Sequence, residues 1–401
     1  MRILTVGNMY PPHHLGGYEI TWRSSVGQLR GAGHEVSVLT TDFRRSEVRD
    51  REAPGVHREL RWYWHDHRFP HIGLRARIAL EHHNVEVLER RLESDRPEAV
   101  CWWAMGGMSL GLIETVRRRG LPAVGVVGDD WMAYAPKVDA WQRVATRRAL
   151  GPALARATGL PARVDLSRSA LWLFNSERTR AAALGLGLDP HAARVANPGI
   201  DTGLFRPADQ RPWEWRLACV GRIDPRKGLG LAVDVLAQLP AAVLRIAGAG
   251  DEEYASALLE HARGLGVRDR LELREAPRDE VPEVYAAADA VLFCVLWEEP
   301  WGLVPLEAMA CGRPVVASGR GGSAEYLRDG ENCLIVDPEA GAPALAKALA
   351  RLAADDCLRG RLREGGLATA ARFTEEAYNR AVEVAIEAVA ERSPATVGGP
   401  P

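Results

Sequence analysis

Apolar residues along this chain fall into short solid runs, separated by longer stretches in which apolar positions recur every three or four residues. Solid runs predict strands covered on both faces, and the second pattern predicts helices with one buried side. The first run is Arg2 to Val6; an amphipathic segment, Glu19 to Arg30, follows a long loop, and Gly33 precedes a second run, Glu35 to Thr40. The chain thus opens as a βαβ unit. After a charged stretch come a helical pattern from Ile72 to Glu93 and runs at Ala99 to Trp103, Pro122 to Val127 and Ala170 to Phe174. Such alternation predicts a parallel, doubly wound sheet. Asn197-Pro198-Gly199-Ile200-Asp201, followed by Pro207 and Pro212, is rich in turn formers and sets a domain boundary near mid-chain. A second alternation begins beyond it, with strands predicted at Leu217 to Val220, Val243 to Ala247, Leu271 to Leu273, Ala290 to Cys294 and Pro314 to Ala317. The expected plan is α/β, with two Rossmann-like doubly wound domains, 1–196 and 197–373, and a flexible tail at 393–401.

Length agrees with two domains, since 401 residues exceed what one core usually organises. A formal net charge of -2 shows no bias toward polyanions, so no nucleic-acid partner is expected. Six cysteines (Cys101, Cys219, Cys294, Cys311, Cys333, Cys357) stand far apart, and no histidine cluster has metal-ligand spacing. Reduced thiols, no metal and no cofactor are the expectation. The first apolar run is too short for a signal peptide, and nowhere do about 18 apolar residues run uninterrupted, which predicts a cytoplasmic protein.

Four segments hold candidate chemistry. In Glu299-Pro300-Trp301-Gly302-Leu303-Val304-Pro305-Leu306-Glu307-Ala308-Met309-Ala310-Cys311-Gly312, Pro305 suits a first helical turn and Gly312 a helix end. The predicted helix runs from about Val304 to Cys311, with Glu299 before it and Glu307 inside it. The amides of Gly302, Leu303 and Val304 would point out of its N-terminus, where the dipole and unsatisfied N–H groups favour a diphosphate; the alternative is a solvated acidic loop capping an ordinary helix. Gly221-Arg222-Ile223-Asp224-Pro225-Arg226-Lys227-Gly228 follows a strand, so Arg222 and Lys227 either clamp a diphosphate or are surface cations beside a turn. Gly16 and Gly17, in Pro11-Pro12-His13-His14-Leu15-Gly16-Gly17-Tyr18-Glu19, admit close approach of a phosphate or form a plain tight turn. No Gly-x-Gly-x-x-Gly fingerprint follows a strand, which removes the main support for a dehydrogenase. In Gly128-Asp129-Asp130-Trp131, one acid hydrogen-bonds a sugar hydroxyl or caps a helix.

In this order and spacing, these segments resemble the retaining family-4 glycosyltransferases of GT-B architecture over nearly the whole chain. The resemblance extends to Gly31-Ala32-Gly33-His34-Glu35-Val36, Asn175-Ser176-Glu177 and Gly321-Gly322-Ser323-Ala324-Glu325. It implies that the two domains face each other across a cleft, the first binding the acceptor and the second the nucleotide-sugar donor. It also implies that a returning helix at 374–392 completes the first domain. Glu299 would contact the donor sugar, Glu307 the ribose hydroxyls, and Arg222 and Lys227 the diphosphate. Two departures stand out: Gly128-Asp129-Asp130 replaces the family's usual histidine, leaving Asp129 to contact the sugar, and Arg274-Glu275-Ala276-Pro277 replaces a glycine near the base.

The resemblance implies metal-free transfer with retention, of hexosyltransferase type. The acceptor would attack the face that the diphosphate leaves, a phosphate oxygen would take its proton, and the domains would close about 197–207. The donor is expected to be a nucleoside diphosphate sugar such as a UDP-sugar, and the acceptor a glycan, lipid-linked glycan or natural-product precursor. Eight of the twelve tryptophans, Trp62, Trp64, Trp102, Trp103 and Trp131 among them, precede residue 196 and either stack on an acceptor or pack the core. Seven basic against two acidic residues from Lys137 to Arg168 suggest weak contact with a membrane surface or solvated helix faces. The rival readings are an epimerase, a phosphorylase, or a nucleotide-sugar-binding protein without turnover.

Overall fold

The computed structural model describes residues 1–45, 48, 52–64, 69–147 and 151–392; the predicted tail, 393–401, lies outside them. The chain divides into two compact units, Met1–Ala196 with Asn379–Pro401, and Asn197–Tyr378.

The first unit holds β1 (Arg2–Val6), β2 (Glu35–Thr41), β3 (Val56–Leu60), β4 (Ala99–Trp102), β5 (Ala123–Val127), β6 (Leu171–Phe174) and β7 (Ala193–Val195). They form one parallel sheet in the order β3-β2-β1-β4-β5-β6-β7. The central strands are solid apolar runs because helices cover both faces: every residue of β4 and β5 is buried. The edge strands β3 and β7 were not predicted. β3 reads Val-His-Arg-Glu-Leu inside the charged stretch and buries only its two ends, as an edge strand can. The helix predicted from Glu19 begins earlier, at Gly17, because Gly16 caps it and donates its N–H to Glu19 Oε2 at 2.9 Å.

The second unit holds β8 (Arg216–Val220), β9 (Val243–Ala247), β10 (Leu271–Arg274), β11 (Ala290–Phe293), β12 (Val315–Ala317) and β13 (Leu334–Ile335). They too are all parallel, in the order β10-β9-β8-β11-β12-β13. β13, two residues long, gave no sequence signal. In both sheets the strand order reverses beside the first strand, between β1 and β4 and between β8 and β11. Open α/β sheets bind ligands beyond the carboxyl ends of the strands at such a switch point. In the second unit the switch point is where the Arg222 and Glu299 segments emerge. The helix Glu375–Glu391 enters the first unit at Asn379, whose amide bridges Ser25 Oγ (2.6 Å) and Ser24 Oγ (2.8 Å).

Candidate functional site

Two loops meet at the β8/β11 switch point because a glycine lets them. Gly228 has φ of 67°, and a Cβ there would lie 1.9 Å from the Cys294 carbonyl oxygen, so only glycine fits. Just before it, Pro225–Lys227 forms a single 3-10 turn, with the Asp224 carboxylate accepting the Arg226 N–H at 2.9 Å. The Leu296 N–H donates across to the Arg226 carbonyl at 2.8 Å.

This contact brings together residues far apart in sequence. Lys227 Nζ lies 2.7 Å from Glu299 Oε2, and the Trp297 indole N–H donates to the same oxygen at 2.9 Å. The Arg226 guanidinium sits 4.5 Å above the Trp297 ring and donates to Asp224 at 3.0 and 2.6 Å. Burial works against the Asp224 charge, but the hydrogen bonds and charge of Arg226, aided by Arg222, hold its carboxyl down at about 2. Arg222 is less engaged. Its Nη2 lies 3.5 Å from Asp224 Oδ2, its side chain is 39% exposed, and its Nε has no partner among the described residues.

The adjoining helix is Leu303–Ala310, one residue earlier at each end than predicted, with Gly302 as its N-cap at φ 90°. No side chain caps it, so the amides of Leu303 and Val304 lack an intrahelical acceptor, and Pro305 contributes none. The Gly322 N–H donates to the Glu299 carbonyl at 2.7 Å and fixes the preceding loop. Glu307 is 2% exposed. Its Oε2 accepts from Tyr285 OH at 2.8 Å and its Oε1 from Arg278 Nη1 at 2.5 Å. Each oxygen keeps accepting capacity, as a diol ligand requires.

In the first unit, Gly16 spends its N–H on Glu19, whereas Gly17 has open space where a side chain would stand. Asp130 is taken by Arg178 at 2.8 and 2.9 Å. Asp129, one residue before the N-cap Asp130 of the helix Trp131–Val138, accepts the Trp131 N–H at 3.1 Å and the Tyr134 hydroxyl at 3.0 Å. Burial pushes its carboxyl up to about 6 in spite of those two donors. At Gly128 a Cβ would lie 2.7 Å from the Tyr18 ring, so Tyr18 fills the place of a side chain there. Trp102, Trp103 and Trp131 are buried packing residues. Trp62 and Trp64 instead stack on each other after β3, ring centroids 4.6 Å apart, with Phe43 edge-on to both. His13 and His14 are spent on local contacts, His13 accepting the Arg45 N–H at 3.1 Å and His14 meeting the Gly16 carbonyl at 3.2 Å.

Sequence reading missed Trp297, Arg278, Tyr285 and Tyr134. Trp297 stands two residues before Glu299 and an aromatic beside a candidate acid was a usable signal, whereas Arg278 and Tyr285 lie 29 and 22 residues from Glu307. Spacing also hides one group of three possible metal ligands among the described residues: His34, Glu383 and Glu387, whose ligand atoms lie within 4.8 Å. Arg380 Nη1 already sits 2.9 Å from Glu383 Oε2 and supplies a cation there. All six cysteines are free. Among the described residues, no helix is long and apolar enough to cross a membrane.

Residues 206–369 match the family model of glycosyl transferases group 1, a span that contains both loops, the helix and all their partners just described. The D-inositol 3-phosphate glycosyltransferase of Segniliparus rotundus is 36% identical over 205 residues, 47% of this chain and 45% of that protein. Its counterpart in Kribbella flavida is 37% identical over 191 residues, 42% of this chain and 44% of that protein. The matches thus span less than half the length of these relatives. Among solved structures, Anabaena HepE in complex with UDP and glucose aligns at TM-score 0.69 and 19% identity, covering 96% of this chain and 99% of that one. Sucrose-phosphate synthase from Thermosynechococcus elongatus aligns at TM-score 0.72 and 21% identity, covering 95% and 97%. The fold is that of the GT-B glycosyltransferases, and the segment forming the second unit's site lies within the stretch that matches the group 1 glycosyl transferase model.

Proposed function

We propose that the chain is a retaining glycosyltransferase of hexosyl type, moving a sugar from a nucleoside diphosphate sugar to an acceptor without a metal ion. The observation that carries this is the convergence, at one switch point, of Arg222, Lys227, Glu299, an uncapped helix N-terminus and the buried Glu307. The diphosphate lies against the Leu303 and Val304 amides, with Arg222 and Lys227 neutralising its charge. Glu307, held by Tyr285 and Arg278, accepts from the ribose hydroxyls. Glu299 faces the sugar. As the diphosphate draws off the Lys227 ammonium, the Trp297 indole keeps the Glu299 carboxylate in place to accept from a sugar hydroxyl. The acceptor oxygen bonds to the anomeric carbon on the face the diphosphate leaves, and a departing phosphate oxygen takes the acceptor proton. No protein nucleophile takes part.

In the first unit we assign Asp129, positioned by Tyr134, to a sugar hydroxyl, the Gly17 backbone to close approach of the donor, and the Trp62–Trp64 platform to the acceptor. Since HepE was solved with UDP, uridine donors are the first to test.

Calorimetry of UDP and GDP in the presence of a chelator tests the donor site. We expect binding without divalent metal, and each of Arg222→Ala and Lys227→Ala should weaken it by about 10- to 150-fold, the loss of a charge-assisted hydrogen bond. Binding that needs magnesium or manganese, or that ignores both substitutions in folded protein, overturns the assignment. Transfer of radiolabel from a UDP-sugar to acceptor then separates a transferase from an epimerase, a phosphorylase or a binding protein without turnover.

A further inference from the structure

We propose that the first unit carries a docking groove for an acidic phospholipid surface, apart from the residues assigned to donor and acceptor. The groove, about 1220 Å³, lies among the helices packed near β5 and β6. Its floor is apolar and buried, formed by Met132, Leu160 and Leu188. At its lip, Leu186 is 62% exposed, more than any other large apolar side chain among the described residues.

The rim is cationic. Lys137, Arg147, Arg156 and Arg163 line it, all exposed, and none has an ion pair among the described residues. Of the two acids that also line the groove, Glu114 is paired with Arg117 at 2.7 Å and Arg118 at 2.9 Å, whereas Asp165, which accepts the Arg168 N–H at 3.2 Å, keeps its charge and is outnumbered by the four cations. Four unpaired cations beside an apolar trough match a ligand with a charged head and a hydrocarbon body. A free phosphate would leave the floor uncovered, and a nucleic acid has no use for it. An acidic phospholipid meets both demands, with its acyl chain against the floor and Leu186 and its phosphate on the rim, and a bilayer presents such heads in an array that all four cations can reach.

The test is co-sedimentation of the full chain with phosphatidylcholine vesicles, with and without phosphatidylglycerol. We expect binding only when phosphatidylglycerol is present, weakening as salt is raised. Each basic residue near an anionic surface contributes about fivefold, so Lys137→Ala with Arg156→Ala should weaken binding by about 25-fold. Leu186→Ser should weaken it further, and calorimetric UDP affinity should be unchanged in all three substitutions. Binding to pure phosphatidylcholine, or vesicle binding untouched by the double substitution, overturns the proposal. So does displacement by millimolar inorganic phosphate with Leu186→Ser silent, which would make the rim an anion site only. Because UDP binding is read separately, failure here leaves the donor assignment standing, and the reverse holds.

Discussion

Lys227 and Glu299 are separated by 72 residues, yet each neutralises the other. A two-cation clamp on paper is therefore one freer cation, Arg222, and one that must change partner. Glu299→Gln releases Lys227, so it should leave the affinity for a bare nucleoside diphosphate equal or tighter, while kcat and kcat/KM fall together because a transition-state contact is lost. Glu307→Gln should act the other way, weakening the bare nucleoside diphosphate by about tenfold. The reverse pattern in titrations of the two variants would exchange the two roles. The carboxylates and cations were legible because proline, glycine and charge at fixed spacing mark a loop and a helix start. Arg278 and Tyr285 were not, since their role arises only when the helix Val281–Ala287 and the loop after β10 pack beside Glu307. Neither acid of Asp129-Asp130 caps the following helix through its side chain: Asp130 is the N-cap but pairs with Arg178, and Asp129, one residue earlier, is held by the Trp131 N–H and Tyr134.

At the scale of elements, the helix Leu303–Ala310 invites a backbone test. Proline is favoured at the first helical position and costs little there, but it removes the amide. Leu303→Pro should keep the fold, judged by circular dichroism, and lower nucleoside diphosphate affinity; unchanged affinity would take the helix N-terminus out of the site. A second prediction concerns the helix Leu74–Asp95, which carries fully buried Glu81 opposite Tyr63 OH at 2.6 Å. Burial, with the nearby Asp139 charge, pushes the Glu81 carboxyl from 4.5 up to about 8. A folded pKa above the unfolded one stabilises the protein below pH 4.5, and that contribution is lost as pH rises through 8. Glu81→Gln should therefore melt a few degrees higher than the parent above pH 8, with the gap closing toward pH 4.5. A gap that widens on acidification would refute the assignment. Central strands were legible because burial on both faces leaves them mostly apolar, as in β4, β5 and β11. Edge strands such as β3, with His57, Arg58 and Glu59 between two buried ends, carry no such mark.

For the whole molecule, the alternation of apolar runs with helical patterns was enough to give two doubly wound sheets. The chain's route between the units was not in any local pattern. The buried residues of the core clusters around β8 to β13 run from 200 to 370, with Phe373 packed against them, whereas the first unit takes in the chain from Asn379 onward, where Val382 and Ile386 are fully buried. This route sets a timetable for synthesis. A ribosome releases residues 1–196 first, but the segment that finishes their packing emerges only after nearly as much chain again, roughly ten to forty seconds later at ordinary elongation rates. The second unit, by contrast, is contiguous and is ready to fold as soon as Tyr378 is clear. The first half to be made should thus be the last to mature, waiting with Ser24 and Ser25 lacking Asn379. Expressed alone, 197–378 should unfold cooperatively, and 1–196 should melt well below the same fragment co-expressed with 374–392. Equal melting of 1–196 with and without that segment would show that the first unit needs no such wait.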